Sequence, residues 1–374
     1  MKILLLSAYD AESHRRWYQT LMAAFVDIEW TVLALPPRYF SWRLRGNSLS
    51  WAFGQRQVLE GEYDLVLATS MVDLSALRGF VPHLAAIPTI VYFHENQFAY
   101  PANEQQFASI EPRMLNIYTA LAADTIVFNS AYNRDTFLIG AGQLLAKMPD
   151  QVPAGLVQQL TARSQIIPVP IRAVSPLAER IPNQRLQVLW NHRWEYDKGP
   201  DRLLSAVKLL VSRQANVDLH IVGQQFRQQP AAMAELKTLL EQQQSIALKH
   251  WGYIEEPAEY GRCLAAADVV LSTAVHDFQG LSVLEAVAAG CIPLVPDRLC
   301  YTEWFSSDYL YLSDVDAPAK EAEALVSRLL ELIALKQQQC LPEPPALEPL
   351  LLSSLIPVYK QLFSGLLKEQ GSTK

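Results

Sequence analysis

Nine short apolar runs, each closing on a small or polar residue, constrain this chain more than any other feature. "KILLLS" (2–7), "DLVLATS" (64–70), "TIVYFH" (89–94) and "DTIVFNS" (124–130) fall in the first half. "LQVLWNH" (186–192), "DLHIVG" (218–223), "IALKHWG" (246–252), "DVVLST" (268–273) and "CIPLVP" (291–296) fall in the second. They are nearly continuous in Val, Ile and Leu rather than alternating, the pattern of parallel strands buried on both faces. Helix-length segments such as "PDRLLSAVKLLVSRQ" and "MAELKTLLEQQQ" lie between them. The alternation predicts two doubly wound α/β domains in tandem. Such sheets bind ligands outside the carboxyl ends of their strands, so the expected site is a cleft between the domains.

The length agrees: 374 residues exceed what one core usually supports. We expect a first domain over 1–172, a proline-rich linker over 173–185, a second domain over 186–340, and a final helix within 341–374 that packs back on the body. The linker lies within "IIPVPIRAVSPLAERIPNQR", which carries four prolines and no clear period. With no apolar stretch near the roughly 18–20 residues a bilayer requires, the expectation is a soluble, cytoplasmic protein. Oligomeric state is not readable.

The formal charge of −7 argues against broad non-specific nucleic-acid binding. It is uneven: residues 1–172 hold 13 Lys+Arg and 14 Asp+Glu, leaving 18 and 24 for the remainder. Any anionic partner is expected to meet the first half rather than the second. The four cysteines (Cys263, Cys291, Cys300, Cys340) show no CxxC spacing, which argues against a disulfide framework or a zinc site and for a reducing compartment.

Several strand ends carry chemistry. "HENQFAYP" (94–101) places His94, Glu95, Asn96 and Gln97 where a turn alone would use Gly, Asp or Ser. His14 in "ESHRR" is a candidate for the same site. In the second half, Arg193 and Lys198 follow a strand in "RWEYDKGPD", two cations suited to a diphosphate. A solvated loop with a salt bridge to Glu195 or Asp197 is the alternative. "STAVHDFQGLSVLEAVAAGCIPLVP" (272–296) then reads strand, loop, helix, strand. Gly280 stands where the helix begins and its backbone amides can meet phosphate. Glu285 lies farther along, able to accept from a ribose hydroxyl pair. Asp277 and Glu285 are eight apart, and His276, which precedes Asp277, could equally be a solvent-facing loop residue. Asn129 and Ser130 end a strand and read mainly as a helix cap.

A cation pair after the first strand of the second domain, then an acid, seven residues and Glu, resembles the retaining GT-B glycosyltransferases of family 4. The resemblance implies a two-lobed α/β fold and a nucleotide-sugar donor. It further implies Arg193 and Lys198 on the diphosphate, Glu285 on the ribose, Asp277 on the transferred sugar, and His94 as the active-site histidine; His14, Glu95, Asn96, Gln97 and His276 are then candidates to contact the acceptor or the sugar. Two departures stand out: Asp277 replaces the usual Glu, and the glycine-rich first loop reads "YDAESHRRW". More narrowly, "SHRRW", "YFHENQFAYP", "VFNSAYN", "NHRWEYDKGPD", "HWGY" and "STAVHDFQG" resemble the group that includes tRNA-queuosine mannosyltransferases. That implies GDP-mannose as co-substrate and queuosine in a tRNA anticodon loop as acceptor. No cofactor or metal is expected: leaving-group charge would fall to Arg193, Lys198 and helix amides.

The stretch "LPPRYFSWRLRGNSLSWAFGQR" (35–56) mixes Arg38, Arg43, Arg45 and Arg56 with Tyr39, Phe40, Trp42, Trp51 and Phe53, and has no acid. Arginine among aromatics suits unpaired bases and phosphates. Arg38, Trp42, Arg43 and Arg45, extended by Arg15 and Arg16, are the candidate tRNA contacts; aromatic core packing is the alternative. Two other readings stay open: the same donor chemistry on a lipid, glycan or small metabolite, and a non-catalytic nucleotide- or tRNA-binding module.

Overall fold

The computed structural model describes residues 1–100, 109–171 and 184–371. Residues 173–183 of the expected linker, and the Pro101 that ends the "HENQFAYP" motif, lie outside them. The chain divides into two compact units, Met1–Pro170 with Ser353–Lys374, and Ile171–Leu352.

The first unit holds a six-stranded parallel sheet of β1 (Lys2–Ser7), β2 (Glu29–Ala34), β3 (Leu65–Thr69), β4 (Thr89–Phe93), β5 (Thr125–Phe128) and β6 (Ser164–Ile166), in the order β2-β1-β3-β4-β5-β6. β3, β4 and β5 are buried along their whole length, as their unbroken apolar runs require. Three strands went unannounced in the sequence: β2, β6 and a counterpart in the other unit, all at sheet edges. β2 is only half-buried, so its residues need not be uniformly apolar.

The second unit repeats the plan with β7 (Leu186–Trp190), β8 (Val217–Val222), β9 (Ile246–Gly252), β10 (Val269–Leu271), β11 (Ile292–Pro296) and β12 (Leu310–Tyr311), in the order β12-β11-β10-β7-β8-β9. The order reverses at β7, whose neighbours are β8 and β10. A doubly wound sheet opens its ligand crevice at such a switch point. Residues after β7 and β10 therefore lie together, although about 80 positions separate them in sequence.

The last helix, Leu352–Gly371, belongs to the first unit. Its Tyr359 is buried: the hydroxyl accepts from Trp17 Nε1 at 3.0 Å and donates to the Pro168 carbonyl at 3.0 Å. Phe363 packs edge-on against Phe25 and Trp30. Tyr359→Phe keeps the ring but strands the buried Trp17 donor and removes a donor from the part-buried Pro168 carbonyl. A loss of about 1–3 kcal/mol is expected in denaturant unfolding, with little change in helix content.

Candidate functional site

Each unit carries its own cluster at its strand ends. In the second, Lys198 ends the short turn after β7 and is buried. Its Nζ donates to the His276 carbonyl at 2.9 Å, meets Asp197 Oδ2 at 3.2 Å, and lies 3.7 Å from Asp277 Oδ2. The turn is clamped to the loop after β10. The Val275 and His276 amides donate to the Asp197 carbonyl, and Thr273 Oγ1 donates to the Lys198 carbonyl. Next comes Gly199, at φ +65°; a Cβ there would sit 2.1 Å from the Thr273 carbonyl oxygen. Only glycine allows that approach.

Asp277 is the other pole. Its Oδ1 accepts from the Gly280 amide at 3.1 Å and its Oδ2 from the Tyr301 hydroxyl at 3.1 Å. Tyr301 also touches Ser272 Oγ at 2.8 Å, and Ser272 touches His192 Nε2 at 2.9 Å. Burial alone would raise the Asp277 carboxyl, but Lys198, His192, His276 and the Tyr301 hydrogen bond together hold it below the ordinary carboxylate range. Burial likewise opposes charge on Lys198, yet Asp277 and Asp197 outweigh it and raise the ammonium above its usual value. His192 is pushed down to about 4, by burial first and Lys198 second, and is neutral near pH 7.

The sequence expectation for Gly280 needs correction. Its own amide is taken by Asp277, so it is not a free phosphate donor. Glycine is required instead by φ +72° and by Tyr301 Cε1, 2.8 Å from where a Cβ would lie. The first amides of the Leu281–Ala288 helix, those of Leu281, Ser282 and Val283, have no carbonyl a turn earlier within it and no partner among the described residues. Glu285 is half-buried on that helix, three residues past Ser282 and thus on the face whose Ser282 Oγ lies 3.4 Å from His192 Nδ1. Arg193 is half-exposed and paired with Glu195 at 3.0 Å. His276 is not a solvent-facing loop residue: its ring is buried, edge-on to Phe278 at 4.5 Å.

In the first unit His94 ends β4 and His14 stands on the Glu12–Ala24 helix. Their rings stack at 4.1 Å, with Trp17 edge-on to His94 at 4.7 Å. Glu95 Oε2 is 3.0 Å from His14 Nε2. Burial, then the neighbouring His14, holds His94 well below the ordinary imidazole value, so it is neutral. His94 Nε2 and His14 Nδ1 are buried with no hydrogen-bond partner among the described residues. A buried polar atom left so is costly unless a ligand completes it.

Asn96 does not join them. Its amide nitrogen donates to the Asn133 carbonyl, Asn133 Oδ1 and Thr136 Oγ1, and its Oδ1 accepts from the Phe98 and Ala99 amides. With both ends consumed it fixes the loop and has no capacity for a sugar. Gln97 is half-buried, its amide donating to Asn116 Oδ1 and its side chain lying against Met71 Sδ at 3.8 Å. Ser130 Oγ caps the Ala131–Leu145 helix, and Asn129 donates to the His94 carbonyl at 2.9 Å.

The Arg/aromatic stretch forms the Phe40–Gly54 helix, and the fold sorts it. Arg43 is buried, with Nε directed to the Pro36 carbonyl, so it is no RNA contact. Arg45 is claimed by Asp73 at 2.9 Å and Glu111 at 3.1 Å, acids the local sequence lacks. Arg15 is held by Asp10 at 3.0 Å. Arg16 is exposed on the first helix. Arg38 lies over the Tyr39 ring at 5.5 Å, and Tyr39 and Trp42 are 70% and 53% exposed. The residues that sequence reasoning missed are Asp197, His192, Ser272 and Tyr301. Asp197 adjoins Lys198 and was legible only as an ion-pair partner; Tyr301 has no local signal.

The comparisons agree with this architecture. A model described as tRNA-queuosine alpha-mannosyltransferase N-terminal matches residues 2–171, and one for group 1 glycosyl transferases matches 175–340. A sucrose-phosphate synthase from Thermosynechococcus elongatus superposes with a TM-score of 0.69 at 16% identity, covering 99% of this chain and all of that one. Fold and sequence together define a glycosyltransferase of the GT-B class. The tRNA-queuosine alpha-mannosyltransferase of Drosophila melanogaster is 30% identical over 319 residues, 83% of each chain. A GDP-mannose-dependent phosphatidylinositol dimannoside mannosyltransferase of Mycobacterium tuberculosis is 25% identical over 302 residues, 76% of this chain and 73% of that one. The chain belongs to the tRNA-queuosine alpha-mannosyltransferase family.

The ion cluster makes a signed pH prediction. With its folded carboxyl below the unfolded value of about 3.9, Asp277 stabilises fully above that pH and less as pH falls through the folded value. In Lys198→Met, Asp277 loses the largest charge that lowers it, so the variant's stability deficit against the parent should narrow as pH drops from 7 toward 4.5. At pH 7 it should be about 3–5 kcal/mol less stable than the parent. Urea unfolding at the two pH values reads both effects.

Proposed function

We propose that the chain moves a mannosyl group from GDP-mannose, with retention, onto the cyclopentenediol of queuosine in tRNA. The observation that carries this reading is the N-terminal match to the queuosine enzymes, over the unit that holds His14, His94 and the exposed Arg38–Trp42 surface. The relative named as GDP-mannose-dependent supports the donor.

The second unit is the donor side. As the bond from anomeric carbon to β-phosphate breaks, negative charge grows on the phosphate oxygens. Arg193, Lys198 and the first amides of the Leu281–Ala288 helix meet that charge in the role a divalent ion fills in other transferases. Lys198 is already oriented by the His276 carbonyl and Asp197, so its looser contact to Asp277 is the one a phosphate exchanges most easily. Asp277 accepts from the sugar hydroxyls, and Glu285 from the ribose. The acceptor hydroxyl attacks on the face the phosphate leaves, and its proton passes to a departing phosphate oxygen.

The first unit is the acceptor side. Neutral His94 uses Nε2 to hold a hydroxyl of the sugar or of the cyclopentenediol, and the His14–Glu95 pair sets the wall beside it. Arg38, Tyr39 and Trp42 form the remaining stacking surface for anticodon-loop bases.

Incubation with GDP-mannose and queuosine-containing tRNA, followed by nuclease digestion and mass spectrometry, should show one added hexose on queuosine and none on queuosine-free tRNA. Absence of any hexose gain overturns the reading. Lys198→Ala should lower kcat/KM by about 10²–10³-fold. Trp42→Ala should instead raise the KM for tRNA about tenfold and leave the GDP-mannose KM unchanged.

A further inference from the structure

The second sheet carries a cluster that sugar transfer does not use. His220 on β8, His250 on β9 and Cys263 on the Pro257–Ala266 helix bring one ligand atom each within 4.8 Å of one another. The backbone arranges this deliberately. Leu219 pairs with Leu248, but the next residue, His220, pairs with His250, because a bulge passes over Lys249. Unbroken register would have set Lys249 opposite His220. Bulges re-aim side chains in this way.

The ring nitrogens are also set. Gln187 Nε2 donates to Asp218 Oδ2 and to the Arg185 carbonyl, both at 3.0 Å, which turns its Oε1 toward His220 Nε2 at 3.1 Å. His220 therefore carries its hydrogen on Nε2 and presents a lone pair at Nδ1. That nitrogen faces His250 Nδ1 at 2.9 Å and Cys263 Sγ at 3.9 Å. An amide carbonyl fixing the far nitrogen of an imidazole is the second-layer arrangement of metal-ligating histidines. A cavity of about 300 Å³ opens beside the three side chains, and Glu259, one helical turn before Cys263 and on the same face, lines it.

We propose that His220 Nδ1, His250 Nδ1 and Cys263 Sγ, with the Glu259 carboxylate as fourth ligand, bind a divalent first-row cation, zinc by their chemistry. Tetrahedral zinc sets ligand separations of about 3.3 Å for N–N and about 3.6 Å for N–S, so the two distances from His220 Nδ1 need to change by less than about 0.5 Å, and His250 to Cys263, within 4.8 Å, by at most about 1.2 Å. Two imidazoles, a thiolate and a carboxylate suit zinc better than harder ions. On binding, the Cys263 thiol loses its proton to solvent and a sulfur–metal bond forms, without redox change. His250, which donates between the two Nδ1 atoms beforehand, keeps its single proton by shifting it to Nε2. The ion ties β8, β9 and the Pro257–Ala266 helix together. Tyr260 of that helix accepts from Asn191, next to His192, so the site braces the donor half from behind. The sequence hid it because its ligands come from three elements with no motif spacing.

The test titrates the full-length, reduced, chelator-treated chain with Co²⁺. One equivalent should produce tetrahedral d–d bands and a thiolate-to-cobalt charge-transfer band, both erased by Zn²⁺. Cys263→Ala should abolish the charge-transfer band. His250→Gln, at a half-buried position that tolerates change, should weaken affinity about tenfold or more. Gln187→Leu, which touches no metal, should weaken it about 10–100-fold while the donor KM stays unchanged. A Co²⁺ spectrum that remains octahedral without charge transfer overturns the proposal, as does unchanged affinity in both Cys263→Ala and His250→Gln.

Discussion

A lysine ammonium taken out of water is the constraint around which the second unit is organised. Lys198 is 8% exposed, and an isolated cation so buried would lose its proton before it stayed folded. Asp197, Asp277 and the His276 carbonyl keep it charged, and each comes from the loop after β7 or the loop after β10. Gly199 is glycine because those loops touch, and Gly280 because Tyr301 must reach Asp277. The charge pattern is thus fixed by the protein's own loops.

The first unit solves a different problem with different means. Its site presents a buried, neutral His94 with the His14 ring stacked on it, instead of a compensated ion cluster. Two charged rings 4.1 Å apart would repel in an apolar wall of Trp17 and Tyr92, so burial and proximity keep the proton off His94. One unit therefore offers fixed charge at its strand ends and the other an uncharged polar edge.

Most of the fold was legible, because central parallel strands are buried on both faces and must be apolar throughout. The edge strands β2, β6 and β12 escaped for the complementary reason: one side open to other surroundings relaxes the pattern. His94 was legible because it follows β4 directly, and Lys198 and Asp277 because they lie in the loops after β7 and β10. Asn96 misled, since its side chain has the chemistry of a sugar ligand yet is consumed by Asn133 and two loop amides. Arg45 misled through distance: the acids that neutralise it lie 28 and 66 residues downstream. Tyr301 and the His220–His250–Cys263 cluster depend on long-range register, which local pattern cannot carry.

The position of Tyr359 has a bearing on how the protein is made. The unit that begins at Met1 is finished by a helix whose buried hydroxyl lies 342 residues beyond the indole it accepts from. During synthesis the entire second unit emerges from the ribosome, with all its strands in hand, while the first still waits for its closing piece. Biogenesis should therefore run out of chain order, the later-encoded lobe becoming protease-resistant before the amino-terminal lobe receives its closing helix.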